Sequence, residues 1–470
     1  MQITYILGFF IVGISTAASI PARFSPEIST EIPDSTIGNG TDDCEVDIDF
    51  SNMGLSTIKR NFLSGLKIKS VTLQHNSISK FEVNTFDSLP NLEHLDISNN
   101  VISKANLFSF GTVPSLKALI LDNNSVVAST TTHINVYNYN YNYDGCSADQ
   151  YYDGNYGYCV SRFSALEMKF DFPEVTHLSM RNIAMNSISN YWSLKFPKLM
   201  MLDVSNNRLS PPDDFFEKLP STVENLTMEN VGFTSLSIKS LKNITTLNLK
   251  FNQFESVNSN YCYEKTLCLK NLNELKNLLI SGCSIKKIET DAFKDSQKLI
   301  HLDISNNSLS EIPHGAFELL HSLSYLDMSQ NLFVKIPDIG SLKNLKTLKL
   351  DEMKNELIMI DLWYSTSVSN IQSLSLRGNK IKYIPENFLM KLQELEEIDL
   401  SNNQLTSLSP GSWQKNLSKL YLNQNRISDI DDLELKQATS LELLDLEKNN
   451  ITNIKLSAIK QLPDAVILKV

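Results

Sequence analysis

Three features are missing from this sequence, and each absence excludes a class of protein. Beyond the N-terminal segment no stretch is apolar for the ~20 residues that a membrane-spanning helix needs, so we expect no membrane span. Lys and Arg number 42 against 53 Asp and Glu, and the net charge of −11 is spread along the chain. Nucleic-acid-binding proteins need basic patches, so we expect no such partner. The G-x-S-x-G, H-E-x-x-H, Walker and Rossmann phrases are absent too, and we expect neither an enzyme nor a cofactor or metal site.

What the sequence does contain is a repeated phrase. Residues 299–309 read LIHLDISNNSL, with Leu299, Leu302, Ile304, Asn307 and Leu309 in the fixed places of L-x-x-L-x-L-x-x-N-x-L. Leu302 and Ile304 alternate with polar residues, as in a half-buried strand. Where the chain bends after that strand, backbone groups lose their partners, and the Asn307 amide supplies both donors and acceptors. Such amides, stacked at strand spacing, predict a ladder that joins coils sharing one core.

The ladder position recurs with substitutions through 16 coils, at Met53, Asn76, Asn100, Asn124, Ile183, Asn207, Val231, Asn252, Cys283, Asn307, Asn331, Met353, Asn379, Asn403, Asn425 and Asn449. The commonest step is 24 residues. A second register predicts an aromatic spine behind the strands, because one aromatic lies 14 residues before the next ladder residue at Phe62, Phe86, Phe110, Phe293 and Phe317. The final residues Val466, Ile467, Leu468 and Val470 are interpreted as a last, abbreviated strand.

The 24-residue length with this Phe resembles the typical class of leucine-rich repeat, found mostly in extracellular animal proteins such as Toll-like receptor ectodomains. The resemblance covers roughly residues 46–470. It implies an α/β repeat fold, a curved right-handed solenoid with a parallel concave sheet and an irregular or short-helical convex side. We place the solenoid at residues 44–470, with insertions near 127–163 and 259–269.

The N-terminal segment predicts a secreted protein. Residues 1–19 carry a short apolar core followed by small residues, as a cleaved signal does, and residues 20–43 have the composition of a disordered arm. Seven Asn-x-Ser/Thr sequons agree with secretion and glycosylation, at Asn39, Asn123, Asn225, Asn243, Asn306, Asn416 and Asn450.

Six cysteines fit an oxidising compartment. Two pairs are close enough in sequence to close local loops, Cys146 with Cys159 and Cys262 with Cys268. Cys283 occupies a ladder position as a small buried residue, and we expect it to be free. Cys44 then has no partner, and it either caps the first coil as a free thiol or bridges to another chain.

The two insertions have alternative interpretations. The first contains Tyr151 and Tyr152 among many Tyr, Asn and Gly residues. It is either a protruding recognition loop pinned by a disulfide or an Asn-Tyr expansion with no task. The second, with Cys262 and Cys268, is expected to be a small disulfide loop off one edge, which serves mainly as a local staple.

The solvent face of the sheet is the candidate binding surface. His94 and Asp96, like His301 and Asp303, alternate on one strand face and could in principle form a metal or acid–base pair, although Asp is simply frequent at that place in the repeat. Tyr325 and Tyr421 are expected to be exposed aromatics suited to contacts. A glycan on Asn225 would obstruct its part of the face. The C-terminal end lacks the cysteine cap that relatives carry, so it either docks a partner chain or is blunted by Lys469.

These observations favour a secreted protein-binding scaffold without chemistry of its own, whose ligand is a protein or a glycan. The general layout also resembles insect extracellular repeat proteins, among them mosquito leucine-rich immune proteins without a coiled coil, and this implies a role in innate-immune recognition or complex assembly. The alternatives are a matrix or cell-adhesion protein and, from a different class, a hydrolase that uses the His/Asp pairs.

Overall fold

A computed structural model describes residues 46–60, 62–63, 67–124, 150–153, 158–161, 166, 168–188, 191–209, 212–238, 241–260, 262–357, 369–452 and 454–470. They belong to one compact unit, Cys44–Val470. The second unit, Met1–Asp43, lies outside the described residues, and so do the predicted signal segment, the predicted arm and Asn39. Cys44 and Cys146 are also outside, so their pairing stays a prediction.

The described residues form a solenoid built on one 17-stranded parallel sheet. Its strands, in order across the sheet, are Val46–Asp49, Ile68–Thr72, His94–Asp96, Ala118–Ile120, His177–Ser179, Met201–Asp203, Asn225–Thr227, Thr246–Asn248, Asn277–Leu279, His301–Asp303, Tyr325–Asp327, Thr347–Lys349, Ser373–Ser375, Glu397–Asp399, Lys419–Tyr421, Leu443–Asp445 and Ile467–Lys469. Each coil places the same repeat position opposite its neighbour, as Leu302 pairs with Leu326. The fold predicted from the repeat is therefore confirmed, including the final short strand.

The amide ladder is present and satisfies the bend. Asn307 is 1% exposed. Its Oδ1 accepts hydrogen bonds from the backbone N–H groups of Cys283 and Ile285, both at 3.0 Å. Its Nδ2 donates to the carbonyls of Ile280 at 2.9 Å and Ile304 at 3.0 Å. One side chain thus pairs four backbone groups across two coils, which is the complete use of an amide in a place that water does not reach.

Substituted ladder positions behave according to where they lie. Ile183, Val231 and Met353 are buried. Met53, which the repeat also assigns to the ladder, is 40% exposed because it belongs to the first described coil. Cys283 is a free, fully buried thiol whose Sγ lies 3.1 Å from the carbonyl of Leu249 on the preceding coil. It therefore replaces the donor half of the missing amide.

The residue before each ladder residue adopts a left-handed conformation, and these residues form what we call the outer row. Asn99, Asn206, Asn306 and Asn402 belong to it, with φ of 54°, 57°, 49° and 54°. Asn tolerates this region better than most residues. The doubled Asn in the repeat is thereby explained, because the first Asn makes the turn and the second closes it.

The core is one continuous apolar cluster running behind the sheet. The predicted aromatic spine is present at Phe86, Phe110, Phe293 and Phe317, all at most 3% exposed, with Phe86 and Phe110 centred 5.7 Å apart. Phe62 is only half-buried and packs on Phe50. Because each coil contributes one layer and relies on its neighbours for cover, stability is shared between adjacent coils.

One buried polar side chain interrupts this core. Gln414 is fully buried, and neither its Oε1 nor its Nε2 has a hydrogen-bond partner among the described residues. It lies three residues before Leu417, a position that holds Leu392 and Leu320 in other coils. The amide therefore occupies a place that the repeat reserves for an aliphatic side chain.

The side opposite the ladder sheet is made of short elements. The α-helices are Trp192–Lys195, Pro212–Glu217, Glu386–Leu389 and Leu456–Ile459, and the 3-10 helices are Lys104–Asn106, Ser412–Gln414, Ile430–Leu433 and Leu435–Gln437. Strands Thr57–Ile58 and Lys80–Phe81 pair in parallel. A second parallel sheet has the order Leu236–Ser237, Thr266–Cys268, Ser256–Asn258, Lys287–Ile288.

That second sheet corrects the interpretation of the insertion near residues 259–269. The disulfide between Cys262 and Cys268 is present. The inserted segment, however, is not a loop off an edge, since Thr266–Cys268 is a strand between those of two successive coils. Leu267 is fully buried there. Because a buried residue anchors the extra strand in the core, the insertion continues the solenoid as a partial coil.

The first insertion leaves the ladder sheet unbroken, since Ala118–Ile120 and His177–Ser179 pair directly across it. Within the insertion, Gln150–Asp153 and Tyr158–Ser161 form an antiparallel hairpin. Tyr151 pairs with Val160 and Tyr152 with Cys159. The rest of residues 127–163 lies largely outside the described residues, so its role and its disulfide stay predictions.

Candidate binding surface on the ladder sheet

Each coil presents three side chains on the solvent face of the ladder sheet, which we call the ribbon. In one coil they are His301, Asp303 and Ser305, referred to here as the first, second and third positions. They alternate with the inward Leu302 and Ile304, because successive side chains of a strand point to opposite faces. Equal register between strands places the same position of every coil in one row.

Aspartates in the second row have a structural task. Their Oδ1 accepts a hydrogen bond of 2.9 to 3.1 Å from the backbone N–H two residues later, at Asp96, Asp203, Asp303, Asp327, Asp399 and Asp445. Asp and Asn commonly form such turns with their own backbone. The frequent Asp of the repeat therefore caps the end of each strand, and this accounts for its presence without a catalytic role.

Two coils are capped by the coil before them. There the second position is Ser and the third is Arg, and the carboxylate comes from the third position of the preceding coil. Asp351 Oδ1 accepts from the Ser375 hydroxyl at 2.5 Å and from the Arg377 N–H at 2.9 Å. Asp122 serves Ser179 and Arg181 in the same way, at 2.6 and 2.9 Å. The cap is thus passed from coil to coil where a coil lacks its own.

The two His/Asp pairs are not alike. His94 is exposed, whereas His301 is 8% exposed. Asp303 is only 7% exposed, and besides its cap it forms an ion pair with Lys250, Nζ to Oδ2 at 2.9 Å. Among the described residues no group of three or more His, Cys, Asp or Glu side chains is arranged to hold a metal ion. Neither carboxylate is therefore left over to orient its histidine for base catalysis.

Five ribbon residues form what we call the central patch. The rings of His301 and Tyr325 lie face to face, with centroids 4.1 Å apart and planes 5° apart. Lys349 Nζ lies 5.7 Å from the centre of the Tyr325 ring, within reach of a cation–π contact. Asp303 and Lys250 complete the patch on the other side of His301. The stack follows from the register, because residues 301 and 325 are direct neighbours in the first row.

Burial decides the charge of this patch. It lowers the pKa of His301 to about 4, so the imidazole is neutral at physiological pH. Burial also raises the pKa of Tyr325 above its usual value, and the phenol stays protonated. Next to the patch, burial and then the neighbouring carboxylates of Asp327 and Asp399 raise the pKa of Asp351 to about 6. The patch is therefore a pair of neutral rings flanked by Lys349 and by acidic groups.

Other residues named from the sequence lie away from this patch. Tyr325 and Tyr421 were both expected to be exposed, and this was wrong, since each is half-buried between ribbon neighbours. His94 lies near His177, whose pKa is lowered mainly by burial and in addition by His94. Tyr151 belongs to the hairpin of the first insertion.

The sequons fall on different faces. Asn225 lies on the ribbon itself, in the strand Asn225–Thr227, and is half-buried. The other described sequon residues are exposed, namely Asn123, Asn243, Asn306, Asn416 and Asn450. A glycan on Asn225 would cover part of the ribbon three strands from His301, a distance of about 14 Å at ~4.8 Å per strand.

Sequence reasoning missed Lys250, Lys349 and Asp351. Lys349 and Asp351 belong to a coil whose strand, Thr347–Lys349, lacks the usual second-position Asp. That departure was the available signal, because a lysine in the acidic row marks a local change of charge. The Lys250–Asp303 pair skips one coil, and such a contact is visible only once the strands are placed.

Comparison with known proteins agrees with this architecture. The family model described as "Leucine rich repeat" matches residues 67–126, 273–333 and 369–416. The fold is that of a leucine-rich-repeat protein. A leucine-rich-repeat protein of Leptospira interrogans is similar in structure, with a TM-score of 0.53 and 21% identity over 84% of this chain and 95% of that chain. The TLR13–ssRNA13 complex is similar with a TM-score of 0.54 and 19% identity, over 85% of this chain and 59% of that one.

One curated relative shares a short part of this leucine-rich-repeat chain. Vasorin of Xenopus tropicalis is 39% identical over 64 residues, which are 12% of this chain and 10% of vasorin. The matched segment is therefore a small fraction of either protein. No helix among the described residues has the length and apolar character needed to cross a bilayer.

Proposed function

We propose that this protein is a secreted, non-enzymatic scaffold that binds another protein through its ribbon, with the central patch as the main contact. The observation that carries the proposal is the stack of His301 on Tyr325 beside Lys349. Aromatic side chains held rigidly near the centre of a surface are typical binding hot spots. Fixing the Tyr325 ring against a neighbour also reduces the entropy lost when a partner binds.

The cellular setting belongs to the same proposal. A predicted signal segment, several exposed sequon residues and the Cys262–Cys268 disulfide support secretion into an oxidising space. We assign the scaffold to innate-immune recognition or complex assembly, with matrix or adhesion roles as the alternative. An intermolecular bridge through Cys44 and a partner chain at the C-terminal strand Ile467–Lys469 belong to the same proposal as further contacts.

A nucleic-acid ligand is not part of the proposal. The TLR13 neighbour was solved with ssRNA, but the likeness at 19% identity concerns the fold. Here the ribbon carries a row of aspartates, and the chain has a net charge of −11. A polyanion would have to approach these carboxylates against their repulsion, and counterion release from phosphate needs cationic partners.

The test is affinity capture of a partner from body fluid by immobilised protein, with three variants. Tyr325→Ala removes the central ring, whereas Tyr383→Ala removes an aromatic that is 68% exposed and lies off the ladder sheet. Loss of a hot-spot aromatic should weaken the captured partner's affinity at least about tenfold in the first variant and leave the second unchanged. Deletion of residues 127–163 is the third variant. Capture that survives Tyr325→Ala but is lost on this deletion would place recognition on the insertion and contradict the proposal.

A further inference from the structure

Phe251 has an unusual place on the surface. It belongs to the outer row, with φ of 61°, where other coils have Asn, Gln, Glu, Lys or Gly. A positive φ is unfavourable for a bulky side chain, and such outliers concentrate at functional positions. The ring is nonetheless 55% exposed. Neither backbone preference nor core packing explains a phenylalanine here, so something outside the described fold must account for it.

The ring lies across the neighbouring coil at Gly282. A Cβ on Gly282 would be 2.7 Å from Phe251 Cδ1 and 3.0 Å from Cε1, so a residue with a side chain would collide with the ring. The same point is 3.4 Å from Asn306 Nδ2, on the coil beyond. The two distances add to 6.1 Å, which is an upper limit on the separation of Phe251 Cδ1 and Asn306 Nδ2. Glycine thus leaves an open passage between an aromatic ring and a sequon nitrogen.

Asn306 is suited to carry a sugar, and its counterpart Asn123 is a useful contrast. Asn306 begins the sequon Asn306-Asn307-Ser308, is exposed, and makes no side-chain hydrogen bond with any described residue. Asn123, also a sequon residue of the outer row, donates to Asn99 Oδ1 at 2.9 Å and accepts from Asn182 at 3.0 Å. The outer row therefore holds the Asn123 amide in a chain of hydrogen bonds, whereas the Asn306 amide faces the passage.

We propose that Asn306 is glycosylated and that Phe251 is the seat of the first N-acetylglucosamine. The Asn306 nitrogen displaces a lipid-linked diphosphate from C1 of the sugar and loses one proton, with no change of oxidation state. The apolar C–H face of the sugar then packs on the Phe251 ring, whose π face carries partial negative charge. The contact covers the exposed ring and fixes the glycan along the outer row, away from the ribbon. This inference rests on the secretion included in the proposed function.

The experiment measures removal of glycans from the folded, secreted protein by peptide-N-glycosidase, site by site, with mass spectrometry of the released asparagines. Asn416, exposed on another coil, is the internal control. Phe251→Asn substitutes the residue most common in the outer row, so the fold is preserved. It should speed release at Asn306 about 3- to 10-fold, the range that corresponds to one aromatic packing contact, and leave Asn416 unchanged. Phe251→Tyr should keep the slow release.

The outcomes separate this inference from the proposed function. Equal release rates in wild type and Phe251→Asn, or a secreted protein with Asn306 bare and Asn416 occupied, would overturn the inference and leave secretion intact. A change of equal size at Asn416 would show a general loosening and also overturn it. A chain retained in the cell without any glycan would defeat both.

Discussion

Asp351 should make the protein less stable at neutral pH than at mildly acidic pH. Its carboxylate is half-buried, caps the next coil through Ser375 and Arg377, and has its pKa raised to about 6 from the model value of 3.8. A raised pKa means that the folded state holds the proton more tightly than the unfolded chain does. The stabilisation is therefore complete below about pH 4 and is lost as pH rises through about 6.

Asp351→Asn keeps an acceptor oxygen for both cap hydrogen bonds and removes the charge. A difference of about 2 pKa units corresponds to about 3 kcal/mol, and partial exposure reduces this to about 1–3 kcal/mol. At pH 7 the variant should have the larger free energy of unfolding by that amount. The difference should shrink steadily to near zero at pH 4, as measured by urea unfolding followed by circular dichroism at unit pH intervals.

His301→Gln provides a control of opposite sign. The pKa of His301 is lowered to about 4 from 6.5, so its contribution is present above pH 6.5 and is lost as pH falls through about 4. The glutamine variant should therefore lack this acid-side loss, while Asp351→Asn retains it. A pH-independent difference between Asp351→Asn and wild type, or a variant that is weaker at pH 7, would refute the account of the buried carboxylate.

Three further predictions concern the core and the ladder. Gln414→Leu should raise the free energy of unfolding by about 1–3 kcal/mol in urea titrations, because it removes an unpaired buried amide, and Leu392→Gln at the same position one coil earlier should lower it; an unstable Gln414→Leu would show that the amide has an unseen partner. Asn307→Ala should cost at least about 3 kcal/mol in the same assay, since two N–H groups and two carbonyls lose their partner, and a change below 1 kcal/mol would contradict the ladder's role. Cys283, with its pKa raised to about 12 by burial, should resist alkylation at pH 8 in the native protein and react in denaturant, which mass spectrometry of the modified peptide can follow; rapid native labelling would show an open ladder.

The repeat pattern was enough to predict every strand of the ladder sheet, because one position recurs at a nearly fixed step and solenoid coils contact mainly their neighbours. Asn307 could be assigned its role from the residue type alone, since only an amide offers donors and acceptors at a bend. The burial of Cys283 followed from the same register. These features depend on local sequence and on the period, and both are visible in the chain.

The arrangements that depend on the fit between coils could not be predicted. The stack of His301 on Tyr325 requires the rings to adopt compatible rotamers, and the sequence shows only that they share a row. The strand Thr266–Cys268 closes on its partner through a connection shorter than parallel strands usually need, so it was expected to be a loop. Asp351 could be identified as a cap only when Arg377 was placed beside it.

The relay of caps gives the coils a fixed order. The coil with Ser375 and Arg377 has no second-position carboxylate and depends on Asp351, while the Asp351 N–H itself donates to the Ser329 hydroxyl one coil earlier. If recombination excised the single repeat containing Asp351, it would leave a hydroxyl where a carboxylate had accepted two hydrogen bonds. Repeats in this stretch are consequently gained or lost without penalty only as matched pairs, and a protein engineer who shortens the solenoid should cut where each coil has its own aspartate.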